Sequence, residues 1–556
     1  MEKSYYMVFS DDIETALRSR GLNNFIILNS RLAVLYTPID FDPHILNDIS
    51  EISWYNESRP MSSLIEINDQ IDFGDTIRNV SGVNYIYNNV YNDITGSGVL
   101  IAIIDSGVNY LHPDMIREDG SSKIFRLWDQ EGEVNPSPEG YLFGSEFTKE
   151  EINAAIARND DGLSRDETGT GTIAAGIVAG TGRINPNYKG ITEGSELIVV
   201  KLKSYPGEYY VENRNYTISD FLAAISYVIN IAIIAEKSLV INLTVGARSA
   251  FGNITMLNTF DELQLPGVVV VSGAGDQRNT YIHYSGEFRN QTNVDDIIIE
   301  YGTGQNLDIF IEGESLDRIN ATVISPSGEV SYTAYYAPDY YEYYGTFNLE
   351  DTTYLVRYFY PWIATGSELL EINLRNMKPG AWTLRLKPDI YVNGQYNVYL
   401  PNRNLLGGDD GLIDTESFST ITLFGMGDET ITVGAYDNRY DGMWVGSSKG
   451  PSKGISVKPD ISAPGVNIIS TYGNDTYRTG TGTGISSSVV AGELALIMEY
   501  IKRQSDVPKM LLYPQVLKSY LMLGATRKNI YDYPNYSQGY GVVDFRTTIQ
   551  KISDNL

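Results

Sequence analysis

Cysteine is absent from all 556 residues, which removes disulfides, thiolate metal sites and cysteine nucleophiles together and accords with synthesis in a reducing place. Positive charge is short: 41 Lys and Arg stand against 70 Asp and Glu, for a net charge of -29. A surface that acidic repels phosphate backbones and anionic lipid, so nucleic acid and membrane surfaces are disfavoured partners. Uncharged apolar runs of about 18 residues are missing as well. The longest candidate, AISYVINIAIIAEKSLVINLTV, is broken by Glu236 and Lys237 and reads as a buried helix followed by a buried strand, so no transmembrane segment is expected. At the N-terminus, charge and hydroxyls interrupt every apolar run, so no secretory signal is expected and the chain is read as made in the cytoplasm. Histidine occurs 3 times, at His44, His112 and His283.

What is present is globular: 42% hydrophobic residues, 20% charged, and 52 Gly and 21 Pro without a period. The length suggests about three to four domains. Residues 1–80 read as a small α+β unit, with a strand over Tyr5–Phe9, a helix capped by Asp11 or Asp12, two strands joined at Asn29-Ser30, a helix after Pro43, and SLIEI (63–67) closing the unit. An Asn-rich stretch, 68–95, reads as a linker. Near-continuous apolar runs then alternate with helices: 99–105, 196–202, 239–245, 267–274 and 429–436. Runs without polar alternation mark parallel strands covered on both faces. With helices such as the one Ser219 is placed to cap, they predict an α/β, doubly wound parallel sheet. Residues 281–415 break the rhythm with short alternating strands and Pro-Ser-Gly, Lys-Pro-Gly and Asn-Gly turns, an inserted all-β domain. Tyrosine (42 residues) crowds it, at Tyr332, Tyr335, Tyr336, Tyr340, Tyr341, Tyr343, Tyr344, Tyr354, Tyr358 and Tyr360. Strand packing accounts for that crowding, and a flat amphipathic contact surface is the sharper alternative. The α/β pattern resumes over 416–556.

Four separated strings carry a resemblance. IAIIDSGVNYLHPD (101–114) is similar to the subtilisin motif around its catalytic aspartate, and DETGTGTIAAGIVAG (166–180) to the catalytic-histidine motif. VVVVSGAGDQ (268–277) is similar to the segment ending in the oxyanion-hole asparagine, and GTGISSSVVAG (482–492) to the nucleophile motif. KPDISAPGVNIIST (458–471) and GYGVVD (539–544) add to them, and the order along the chain is that of subtilisins. The chain therefore resembles the subtilisin-like serine proteases over about 95–280 and 416–556, within a domain expected to comprise 81–280 and 416–556, which implies that residues 1–80 are a prodomain.

The matching positions lack the chemistry. Asp105 supplies the triad carboxylate, but the imidazole position is Thr170, whose hydroxyl is no base at neutral pH. The nucleophile position is Gly484, and the oxyanion asparagine is replaced by Asp276, expected as a carboxylate that repels developing negative charge. Ser486, Ser487 and Ser488 fall past the nucleophile on its helix, outside attack geometry. His112, in the HPD string, reads as structural, as do His44 and His283. The acidic string 159–167 could suggest calcium but lacks the spacing of a calcium loop, and Asp166 is expected instead to cap the helix after Gly169. No metal or other cofactor is expected.

With a prodomain, a large β insertion and no signal peptide, the chain resembles the Csp germination proteases of clostridial spores, and most of all their pseudoprotease branch. That resemblance implies a regulator of germination, linked to a bile-salt germinant, that acts on a sister Csp protease activating a cortex hydrolase precursor. It implies packaging in the spore and partners among other Csp proteins. An uncut prodomain is expected, with its tail, within 70–90, lying in the peptide groove against Thr244, Val245 and Gly246. A divergent hydrolase and a structural or chaperone-like spore component are the alternatives.

Overall fold

The computed structural model describes all residues except 1, 70, 72–73, 89–92, 206–214, 248–255, 303–305, 337–340, 361–365, 409, 453–455, 505–508 and 555–556. Its centre is a nine-stranded sheet in which Ile124–Asp129, Glu196–Lys201, Val99–Asp105, Ser238–Leu243, Val268–Gly273 and Thr430–Asp437 lie side by side, all parallel. All but Ile124–Asp129 are the apolar runs of the sequence, and Val99–Asp105 is buried along its whole length. Helices Thr170–Ala179 and Thr483–Arg503 cover one face, while Ile218–Ile234 covers the other. The sheet is thus α/β and doubly wound. Helix Thr483–Arg503 is long and apolar enough to cross a membrane, yet its apolar stretch is wholly buried, because it is the central core helix here. Helix Ile218–Ile234 is capped by Thr217, whose side chain accepts the Asp220 amide, rather than by Ser219.

At the N-terminus, strands Glu2–Phe9, Phe25–Ile27, Leu32–Pro38 and Ile52–Glu57 form an antiparallel sheet, with Asp12 capping helix Ile13–Ser19. One face packs on that helix. The other, through Tyr6, Ile26, Val34 and Tyr36, joins the core around Ile218–Ile234. This sheet ends at Glu57, not near residue 80. SLIEI does not close the unit: Pro60–Ser63 and Glu66–Asn68 are strands paired with the main domain, and Asp75–Thr76 pairs with Ile468–Tyr472.

The inserted segment forms two antiparallel sheets, one six-stranded from His283–Glu287 to Gln395–Tyr399 and one four-stranded that includes Asp295–Tyr301 and Gly380–Ile390. Alternate residues such as Ile299, Ile309, Ile311, Trp382 and Leu384 meet between them in a separate core, as a two-sheet packing requires. Tyr354 and Tyr358 are buried in that core, whereas Tyr332, Tyr335 and Tyr344 are exposed. Tyr340 and the side chain of Tyr341 lie outside the described residues.

Candidate functional site: a filled peptide groove

Asp105 ends its central strand and is fully buried. Thr170, at the start of helix Thr170–Ala179, donates its hydroxyl to Asp105 Oδ1, and Thr244 donates to Oδ2. The Ser106 amide adds a third bond to Oδ1 at 2.6 Å. Ser106 Oγ lies 2.9 Å from Thr170 Oγ1 and accepts the Gly171 amide at 3.0 Å. Burial pushes the Asp105 carboxyl up to about 6 against these three donors, which pull the other way. Asp105 is thus held by hydroxyls and backbone, with no imidazole in contact.

The histidines are elsewhere. His112 Nδ1 accepts the Asp114 amide, and its Nε2 lies 3.0 Å from the Thr476 carbonyl. His283 is on a strand of the inserted domain beside Asn397, and His44 belongs to the N-terminal unit, 3.8 Å from Glu342. Ser486 donates to Ala463 O, while Ser487 and Ser488 donate to Gly484 O, so each hydroxyl is committed to the backbone. Asp166 accepts the Gly169 and Thr172 amides at 2.7 and 2.9 Å, tying down the start of the helix.

The groove holds residues 60–65, not a segment within 70–90. Ser62 and Ser63 pair antiparallel with Gly246 and Val245, and the Leu64 amide donates to Thr244 O at 2.8 Å. Met61, fully buried, pairs with Tyr216. Asn402 of the inserted domain's return loop bonds both Ser62 Oγ and Gly246 O at 3.2 Å. The chain then runs without a break into Glu66–Asn68, paired with Thr479–Thr481. We call residues 60–68 the strap. Alternating small and apolar residues in MSSLIEI carried this strand signal, but strands of one's own sheet and strands borrowed by another domain look alike in sequence.

Gly484 sits under the strap at the first turn of helix Thr483–Arg503. Its amide donates to the Leu64 carbonyl at 2.9 Å. A Cβ added there would meet Ile65 Cγ1 at 2.8 Å and Leu64 O at 2.9 Å, so the Leu64–Ile65 peptide bond lies directly over the nucleophile position. Asp276 is beside it, and its Oδ1 accepts the Thr483 amide and hydroxyl at 2.9 and 2.7 Å. Burial pushes this carboxyl up to about 8, overriding the Thr483 donors and aided by nearby Glu66. Desolvation thus works against the carboxylate expected from sequence and favours the protonated form.

The subtilase family matches residues 96–541, and with this sheet, this helix arrangement and this groove the chain belongs to the subtilase family. Among solved structures, the fold matches the Clostridium perfringens CspB protease with a TM-score of 0.75 and 23% identity, over 87% of this chain and 98% of that one. A PII-type proteinase of Lactococcus lactis subsp. cremoris is 34% identical over 122 residues, which is 20% of this chain and 6% of that protein. A subtilisin of Bacillus sp. (strain TA39) is 24% identical over 197 residues, 35% of this chain and 38% of that protein. The chain thus spans well under two thirds of the length of these curated relatives.

Proposed function

We propose that this chain is a catalytically inactive subtilase, a pseudoprotease of the Csp type resembling CspC, that regulates spore germination by binding rather than by cutting. One observation carries the reading: the Leu64–Ile65 bond lies over Gly484, which has no side chain to attack it, beside an Asp105 whose partners are Thr170, Thr244 and Ser106. Acyl transfer needs an attacking oxygen and a base to take its proton, and neither Gly484 nor Thr170 offers one. The likeness in fold to the CspB protease, with an N-terminal unit and an inserted β domain, supports the Csp assignment. In this reading a bile-salt germinant or a sister Csp protease is the partner, and packaging in the spore is where the protein acts.

A fluorophosphonate probe, which labels an activated serine, tests the inactivity and is expected to leave the chain unmarked. The double variant Thr170→His, Gly484→Ser then asks whether the scaffold keeps working geometry. Because the added Ser Cβ crowds Leu64 and Ile65, slow rather than rapid cleavage after Leu64 in the purified double variant is the expected result. Cleavage there by the unaltered chain would overturn the proposal.

A further inference from the structure

Two oxygens converge in the groove. The Leu64 carbonyl takes the Gly484 amide hydrogen on one side. On the other stands Gly482 with φ of +140°, where an added side chain would collide with that same carbonyl and stand 2.7 Å from Asp276 Oδ2. Leu64 O and Asp276 Oδ2 therefore border one small space. Asp276 is 9% exposed, and its Oδ1 is committed to Thr483. Around it, the helix contributes Thr483, the strap contributes Glu66 and the neighbouring loop contributes the hydroxyl of Ser448, which binds the Gln277 amide. Among the described residues no Lys, Arg or His pairs with Asp276. Lone pairs facing lone pairs in so largely buried a space repel unless one oxygen carries a proton.

We propose that Asp276 is kept as a carboxylic acid whose Oδ2 hydrogen is donated to the Leu64 carbonyl, so that it acts as a positioning residue for the strap and releases it on losing that proton. In this form the acid takes the place of an amide N–H and, with the Gly484 amide, grips the carbonyl from two sides, as a peptide-binding clamp rather than a catalytic one. Glu66, exposed on the strap yet close enough to act electrostatically on Asp276, adds a second negative charge that would sharpen the release. The sign follows from the direction of the shift. The seated state holds the proton more tightly than the open one, so seating is favoured at low pH and is lost as pH rises through about 8.

The inference deepens the reading of a filled groove and rests on it. The test is cleavage of the full-length chain within 60–68 by an added non-specific protease, measured between about pH 6 and pH 9 and normalised to an unstructured peptide. Strap opening is expected to rise by up to about tenfold per pH unit from about pH 6 to about 8, while the seated state still holds the proton the open state has given up, and to level off above about 8. Asp276→Asn, a permanent donor, is expected to stay protected throughout, and the protonated-carboxyl band in infrared difference spectra between the two proteins is expected to vanish over the same pH range. Glu66→Gln is expected to keep one transition, moved to lower opening at every pH. Coincident profiles for wild type and Asp276→Asn, or a profile flattened by Glu66→Gln alone, would overturn the proposal. Failure of the inactivity reading is distinguishable, because it produces a cut after Leu64 with no protease added.

Discussion

The Gly484 amide hydrogen points at the Leu64 carbonyl oxygen across 2.9 Å. In a working subtilase the corresponding backbone donor serves an oxyanion that forms for an instant. Here it serves a ground-state carbonyl of the same chain, so an interaction suited to a transition state has become a structural one.

That relationship makes position 484 sensitive to a single methyl group. Gly484→Ala would put a Cβ at 2.8 Å from Ile65 Cγ1 and 2.9 Å from Leu64 O, and the crowding costs about 1–3 kcal/mol. The better helix propensity of alanine returns about 1 kcal/mol at most. The expected outcome is an intact fold with a displaced strap, read as a lower melting temperature and faster proteolysis at 60–68. A variant that is stabler and equally protected would mean that the strap yields freely.

Asp105 gives a second prediction. Its carboxyl is raised to about 6 by burial, so the folded state favours the protonated form. Its contribution to stability is full below about pH 4 and is lost as pH rises through about 6. Relative to Asp105→Asn, the wild type should lose about 3 kcal/mol across that window and then change no further. Denaturant unfolding of both proteins at several pH values measures it, and a constant difference would contradict the shift.

The central sheet was legible because fully buried parallel strands are written as unbroken apolar runs, Val99–Asp105 above all. The site positions were legible because Asp105, Thr170, Asp276 and Gly484 each lie inside a motif whose flanking glycines fix the register. The strap was misplaced for a physical reason. Met61 and Leu64 bury themselves in another domain's groove, a long-range partnership to which no local periodicity points. The upward shift of the Asp276 carboxyl was equally hidden, since it comes from burial in the folded site, which no local sequence pattern shows. Thr217 displaced Ser219 as a helix cap because both are capping residues and only geometry decides which carbonyl starts the helix.

The inserted domain holds the strap's leading end through Arg59. This guanidinium pairs with Glu371 and lies 3.6 Å from Asp308, both on the six-stranded sheet and both buried. Arg375 and Asn373 share the same carboxylates, so removing Arg59 leaves them partly rather than wholly unpaired. Arg59→Met is expected to cost about 1–3 kcal/mol, and a double-mutant cycle with Glu371→Gln should show coupling of about 1 kcal/mol or more. The same variant should raise proteolysis at 60–65 without altering that within the inserted domain. Uniform loosening of both would make Arg59 an ordinary stabilising residue.

Glu493 is the least comfortable group in the core. It lies on helix Thr483–Arg503, fully buried, with neither carboxyl oxygen bonded. Burial, with a further push from Asp544, raises it well above the usual carboxylate range, so it is held neutral. A raised acid stabilises the fold only while protonated; its contribution falls as pH climbs above the unfolded value of about 4.5. Glu493→Met removes the orphaned oxygens at similar length, and replacing a buried unpaired polar group with a well-packed apolar one is expected to gain about 1–4 kcal/mol at neutral pH. That gain should shrink below about pH 4.5, where the wild-type carboxyl needs no protection from ionisation. Chemical denaturation of the two proteins at acid and neutral pH measures both. A Met variant destabilised at both pH values would mean that Glu493 makes a hydrogen bond in solution after all, to a water held in the core.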